Sequence, residues 1–157
     1  MQRFALLGAG FIGSVHAKNL AENPNVDFVH VYDVSAERAQ AIAGKYGATA
    51  VDSVDAALQG VDAVFIASST DTHAANLKAA VDAGVAALCE KPIDLNLDRA
   101  REIVAYAESK AAKVMVNFNR RFDPDHAELK RIVETGGVGT VELVQLTSRG
   151  PAVPPLE

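Results

Sequence analysis

The chain has 157 residues, 49% of them hydrophobic and 22% charged, enough for one well-cored domain or one domain plus a fragment of a second. Lys plus Arg number 15 against 20 Asp plus Glu, and a net charge of −5 argues against a nucleic-acid partner, which needs clustered positive charge. A single cysteine, Cys89, excludes an intrachain disulfide, and every apolar run falls short of the roughly 20 residues that span a membrane. The N-terminus lacks a signal-peptide pattern, so a cytoplasmic protein with no membrane partner is expected.

In chain order, FALL (4–7) reads as a first strand, and the turn GAGFIG (8–13) opens a helix over 11–22. FVHVY (28–32) is a second strand, followed by a helix with Ser35 as its N-cap and its end near residues 44–47. ATAV (48–51) is a weak strand leading to a short helix over 54–58. AVFIA (63–67) is a buried strand; Asp71 or Thr72 caps the helix after it, which stops at Gly84. VAALC (85–89) is another strand, Asn96 caps a helix to about Ser109, and KVMVN (113–117) is the last strand of the series. Short apolar runs alternating with helices specify a parallel sheet covered on both faces. The expected fold class is α/β, a Rossmann-type doubly wound parallel sheet over 1–118. Residues 119–157 read as the incomplete start of a second, α+β domain. Asp123-Pro124 starts a helix to about Thr135. TVELVQLTS (140–148) alternates with period 2 and reads as a strand without a later partner, and the tail PAVPPLE cannot form a ladder. Such an unpaired edge invites self-association or local disorder.

Gly8, Gly10 and Gly13 fit G-x-G-x-x-G between a strand and a helix. Gly8 makes the turn, Gly10 lets a pyrophosphate approach, and Gly13 lets helix and strand pack closely. The helix start at Phe11, Ile12 and Gly13 supplies N–H groups and partial positive charge for phosphates. Asp33 ends the second strand about 20 residues on, where an acid binds adenosine ribose hydroxyls. Together these predict a dinucleotide site. The alternative is a plain turn followed by a capping Asp. Val34 follows the acid and supplies no cation for a 2′-phosphate, so NAD is favoured over NADP. Arg38, one helical turn on, either softens that preference or is simply a solvated residue.

Three further loops lie at carboxyl ends of strands, where such sheets bind ligands. In SSTDTH (68–73), Ser69, Thr70 and His73 line a cofactor groove or serve as helix caps and first-turn residues. In CEKP (89–92), Glu90 and Lys91 contact ligand and tune a proton transfer, or form an ordinary surface pair; Pro92 holds Lys91 extended. Cys89 reads as a small buried residue rather than a nucleophile. NFNRRF (117–122) offers Asn119 and Arg121 to a hydroxyl-rich ligand, or forms a junction of salt bridges.

GAGFIG, Asp33, STDTH, CEKP and NFNRRF, in this order and spacing, resemble the Gfo/Idh/MocA oxidoreductase family, with CEKP the most specific motif. NFNRRFDPD and TSRGPAVPPLE look most like its inositol 2-dehydrogenase branch. The resemblance implies hydride transfer between NAD and a secondary alcohol carbon of a cyclitol or sugar. It implies that Lys91 contacts substrate and assists the proton relay, with a cis bond to Pro92, and that Arg121 lies in a substrate-binding region. It also implies a base, a His in an Asp-x-x-x-His pattern, which these 157 residues do not contain; His126 precedes the relevant strand and is no substitute. No metal site is expected, and the resemblance implies a homo-oligomer in the full-length form. The isolated chain is expected to bind NAD and turn over poorly or not at all. The alternatives are a truncated or non-catalytic nucleotide-binding module, or another family chemistry such as biliverdin or dihydrodiol reduction.

Overall fold

The computed structural model describes residues 1–147 and 149. The chain divides into two compact units, residues 1–118 and 119–157. In the first unit a six-stranded, all-parallel sheet has the order β3-β2-β1-β4-β5-β6. Its strands are β1 (Gln2–Leu7), β2 (Val26–Tyr32), β3 (Thr49–Ala50), β4 (Ala63–Ile66), β5 (Ala86–Cys89) and β6 (Val114–Val116). The connecting helices are α1 (Phe11–Glu22), α2 (Ala36–Tyr46), α3 (Val54–Leu58), α4 (His73–Asp82) and α5 (Leu97–Ser109). This is the doubly wound parallel sheet that the alternation of apolar runs and helices specifies.

The strands are apolar at successive positions because both faces of the sheet are covered. Successive side chains point to opposite faces, so Ala5 and Leu7 enter one core and Leu6 the other. On the first face Leu7, Val64, Ile66 and Cys89 pack with Leu77, Ala80 and Ile103 from α4 and α5. On the second, Leu6, Val31 and Phe65 pack with Ala17 and Leu20 of α1 and Ala39 and Ala43 of α2.

Helix ends follow their local chemistry. Ser35, Ser53, Asn96 and Asp123 each accept first-turn N–H bonds, and Gly47 closes α2 in the left-handed conformation at φ 76°. The expected cap of α4 needs correction. A 3-10 turn, Thr70–Thr72, precedes it, and neither Asp71 nor Thr72 caps it through a side chain. The Thr72 hydroxyl instead donates to the Ser69 carbonyl at 2.7 Å.

In the second unit, a 3-10 turn (Asn119–Phe122) leads to α6 (Pro124–Glu134), with Pro at the first helical position. No residue of α6 is buried. The strand expected over residues 140–148 is not formed by 140–147, and Ser148 and the 151–157 tail lie outside the described residues. Leu143, Val144 and Leu146 are exposed. Period-2 alternation produces a strand only where a neighbouring strand accepts its ladder, and no described residue pairs with this segment.

Candidate cofactor site

The order β3-β2-β1-β4-β5-β6 reverses direction between β1 and β4, and ligands of open α/β sheets bind beyond that reversal, at the carboxyl ends of the strands. Gly8, at the end of β1, has φ 101°. A Cβ there would lie 2.5 Å from the Ala67 backbone, just past β4. A Cβ on Gly13 would overlap the Gly8 carbonyl oxygen. Both glycines are thus required by packing. Gly10 differs: nothing lies within 4 Å of the place its Cβ would take. The loop is therefore open at the position where a phosphate needs access to backbone.

Asp33 holds this loop to the end of β2. Its Oδ2 accepts the Ala9 N–H at 2.7 Å, and its Oδ1 accepts the Ser35 N–H at 2.8 Å. Arg38 donates to Oδ1 through Nε at 3.1 Å and Nη2 at 2.7 Å. Burial pushes the Asp33 carboxyl up, but the Ala9 N–H, the Arg38 guanidinium and the Ser35 N–H outweigh it, and the group sits below its ordinary pKa. The aspartate is thus ionised and acceptor-only near neutrality, the form that binds ribose hydroxyls.

Unlike α2, α3, α5 and α6, helix α1 has no side-chain cap and no acid in its first turn. The N–H groups around Phe11, Ile12 and Gly13 therefore keep their affinity for an anion. Phe11 and Val34 are both exposed apolar residues at this end of the sheet, one beside the glycine turn and one beside the acid.

Past β4, Ser69 is exposed and Thr70 half-buried, so both can meet a ligand. His73 is placed otherwise. Its ring is buried, with Nδ1 2.7 Å from the Pro92 carbonyl and Nε2 3.0 Å from the Ser68 carbonyl. It braces the β4 loop against the Lys91-Pro92 turn from behind and presents no edge to solvent. The Lys91–Pro92 bond is cis.

Glu90 is also engaged inward. Its Oε1 accepts from His16 Nε2 at 2.8 Å and from Asn117 Nδ2 at 2.7 Å, and Oε2 accepts the Lys91 N–H at 3.2 Å. Because a carboxylate only accepts, His16 carries its proton on Nε2. The His16 ring stacks on Phe65 with centroids 3.8 Å apart. Burial raises the Glu90 carboxyl, but the bonds from Asn117, His16 and the Lys91 N–H more than offset it, leaving its pKa lowered. Glu90 thus fixes the turn that carries Lys91, whose own side chain is exposed. Burial, then the Glu90 charge, pushes the Cys89 thiol up to about 12, so it is no nucleophile at neutral pH.

His16 and Asn117 are the site residues that sequence reasoning missed. One signal existed: His16 follows Gly13 by three positions on the face of α1 that also buries Ala17 and Leu20. A polar residue beside a buried stripe needs a partner. Asn119 and Arg121 lie in the exposed 3-10 turn of the second unit. There His126 pairs with Asp123, Nδ1 to Oδ1 at 2.9 Å, which makes it a helix-start residue.

Residues 2–118 match the family model described as an oxidoreductase family with an NAD-binding Rossmann fold. The chain belongs to the Gfo/Idh/MocA oxidoreductase family. It is 45% identical over 157 residues to the inositol 2-dehydrogenase of Rhizobium meliloti, covering 99% of this chain and 47% of that protein. It is 34% identical to the myo-inositol 2-dehydrogenase of Thermotoga maritima, again over 99% of this chain and 47% of the relative. Among solved structures, a myo-inositol dehydrogenase from Corynebacterium glutamicum superposes with a TM-score of 0.82 at 42% identity, over 89% of this chain and 43% of its own. The scyllo-inositol dehydrogenase of Lactobacillus casei, solved with NAD(H) and scyllo-inositol, gives 0.84 at 26% identity, over 88% of this chain and 42% of its own. The chain therefore spans about half the length of the relatives it matches. Within this Gfo/Idh/MocA chain, the glycine turn, Asp33 and the Lys91 turn all belong to the matched segment. No described helix is long and apolar enough to cross a membrane, and no metal-binding cluster occurs among the described residues.

Proposed function

We propose that this chain is the cofactor-binding part of an NAD-dependent oxidoreductase of the inositol 2-dehydrogenase type. Such an enzyme transfers hydride between NAD and a secondary alcohol of a cyclitol or sugar. The observation that carries the reading is the seating of Asp33. It is ionised and hydrogen-bonded to the Ala9 N–H of the glycine turn, so the ribose acid and the phosphate-binding loop form one unit. Gly8, Gly10, Phe11, Ile12 and Gly13 hold the pyrophosphate end, while Ser69 and Thr70 border the groove past β4. The bound nicotinamide supplies the redox chemistry. Lys91 orients a substrate hydroxyl and helps move its proton, on a turn held by Glu90, His16 and Asn117. Residues 119–157 begin the unit that carries substrate contacts, with Asn119 and Arg121 among them, and the full-length form is a cytoplasmic homo-oligomer. The similarity to inositol dehydrogenases over nearly the whole chain supports the polyol substrate class.

The test is a calorimetric titration with NAD, repeated on Asp33→Ala. Binding by the wild type and at least about tenfold weaker binding by the variant is expected, the loss of a charged hydrogen-bonding partner. Equal affinities would remove Asp33 from the site. Substantial myo-inositol-dependent NADH production by the 157-residue chain would contradict the reading of this segment as the cofactor-binding part alone.

A further inference from the structure

The Arg38 guanidinium sits beside the acid of the adenosine site. Its Nε and Nη2 both reach Asp33 Oδ1, while Nη1 has no hydrogen-bond partner among the described residues. The Arg38 side chain is 55% exposed and the Asp33 side chain only 6%. Seen from solvent, then, the cation covers the anion. Oδ1 accepts three donors, from Ser35 and from two Arg38 nitrogens, whereas Oδ2 accepts only the Ala9 N–H. Asp33 therefore has spare capacity on one oxygen for one ribose hydroxyl. Arg38 fills two of the donor places on Oδ1 from the solvent side. Val34, at the position after the acid, is exposed and apolar and offers a phosphate nothing.

We propose that Arg38 is the specificity-determining residue of the adenosine-ribose site, and that its guanidinium lets the site accept a 2′-phosphate, so that NADP binds as well as NAD. This rests on the reading of the first unit as a dinucleotide site. A lone aspartate repels a 2′-phosphate; an Asp-Arg pair is neutral overall, and its exposed member is the cation. A planar guanidinium fork with a free Nη1 suits a phosphate dianion, and its five N–H donors let it keep a bond to Asp33 while others meet the phosphate. NAD remains the better ligand, since the carboxylate stays within reach of any phosphate, but the margin is narrow.

Titration calorimetry on the 157-residue chain with NAD and with NADP, for the wild type, Arg38→Gln and Arg38→Lys, tests this. Wild-type affinity for NADP is expected within about 30-fold of that for NAD. In Arg38→Gln the NADP affinity falls at least about tenfold more than the NAD affinity does, and Arg38→Lys lies between. On the wild type alone, 2′-AMP should displace NAD at least about tenfold better than adenosine does. Thermal melts by circular dichroism establish that each variant is folded. Equal losses for both dinucleotides in Arg38→Gln would overturn the proposal and leave Arg38 as a clamp on Asp33. So would NAD binding with no detectable NADP binding by the wild type. A wild type that binds neither dinucleotide sinks the NAD reading and this proposal together, which is a different result from NAD binding with an unchanged preference.

Discussion

Asp33 and Asp123 are both acids at the threshold of a helix, and they are held in opposite ways. Asp33 reaches back 24 residues to the Ala9 N–H, besides its neighbours Ser35 and Arg38. Asp123 finds all its partners within three residues, in the N–H groups of Asp125 and His126, the His126 ring and Arg120. The contrast extends to the units that contain them. In the first, Glu90 joins α1 to the ends of β5 and β6. In the second, the ion pairs Glu128–Arg131 and Lys130–Glu134 lie within one turn of α6. Long-range partners make a site whose geometry depends on the whole sheet. Local partners make a helix that depends on little beyond itself.

The sharpest way to break this contrast is Gly13→Ala. The added methyl would overlap the Gly8 carbonyl, so α1 must move off β1. A loss of about 4 kcal/mol or more in urea unfolding, or failure to fold, is expected of the first unit. A near-wild-type melt would show that the close approach is not required. Glu90→Gln comes next. An amide cannot accept from His16, Asn117 and the Lys91 N–H as a carboxylate does, and a loss of about 1–3 kcal/mol is expected in the same assay. An unchanged midpoint would mean that the inward network contributes no stability.

Acid should then separate the long-range acids from the local one. Asp33 and Glu90 have lowered pKa values in the folded chain, so each contributes stability that is complete above its unfolded value, near pH 4, and is lost as pH falls through its folded value. Global stability should drop from about pH 4 downward, and Asp33→Asn should flatten that slope. Asp123, held down to about 2 by the His126 side chain and N–H, should show its loss only in the first turn of α6. A pH profile of Asp33→Asn parallel to the wild type would contradict the assignment. The smallest effect belongs to Asp123→Ala. It removes the side-chain cap of α6, visible as faster hydrogen exchange at the start of α6, with NAD affinity unchanged. A change in NAD binding would show coupling where the comparison expects none.

Local chemistry was legible in advance. The helices over 11–22 and 54–58, the caps Ser35, Asn96 and Asp123, and Pro at the start of α6 follow from rules that operate within a few residues. The same is true of the glycine spacing and of Asp33 as the acid at the end of β2. Residues 140–147 form no strand for the complementary reason. Their alternation is local, but a strand exists only with a neighbour. His73 shows the same limit from the other side. Its sequence context suggested a groove residue or a helix-start residue, and the fold buried it between the Ser68 and Pro92 carbonyls.

The sequence by itself determined the parallel sheet, the glycine turn, the acid at the end of β2 and the turn that carries Lys91, because each is written in periodicity, spacing or a backbone requirement. Only the tertiary structure decided which groups face one another at the strand ends. It brought His16 and Asn117 to Glu90, and it showed that Arg38 covers Asp33 instead of pointing away into solvent. The physical reason is that ionised groups are satisfied by whatever donors the packed strands bring within 3 Å, and that meeting depends on register across the sheet, which no short window of sequence contains.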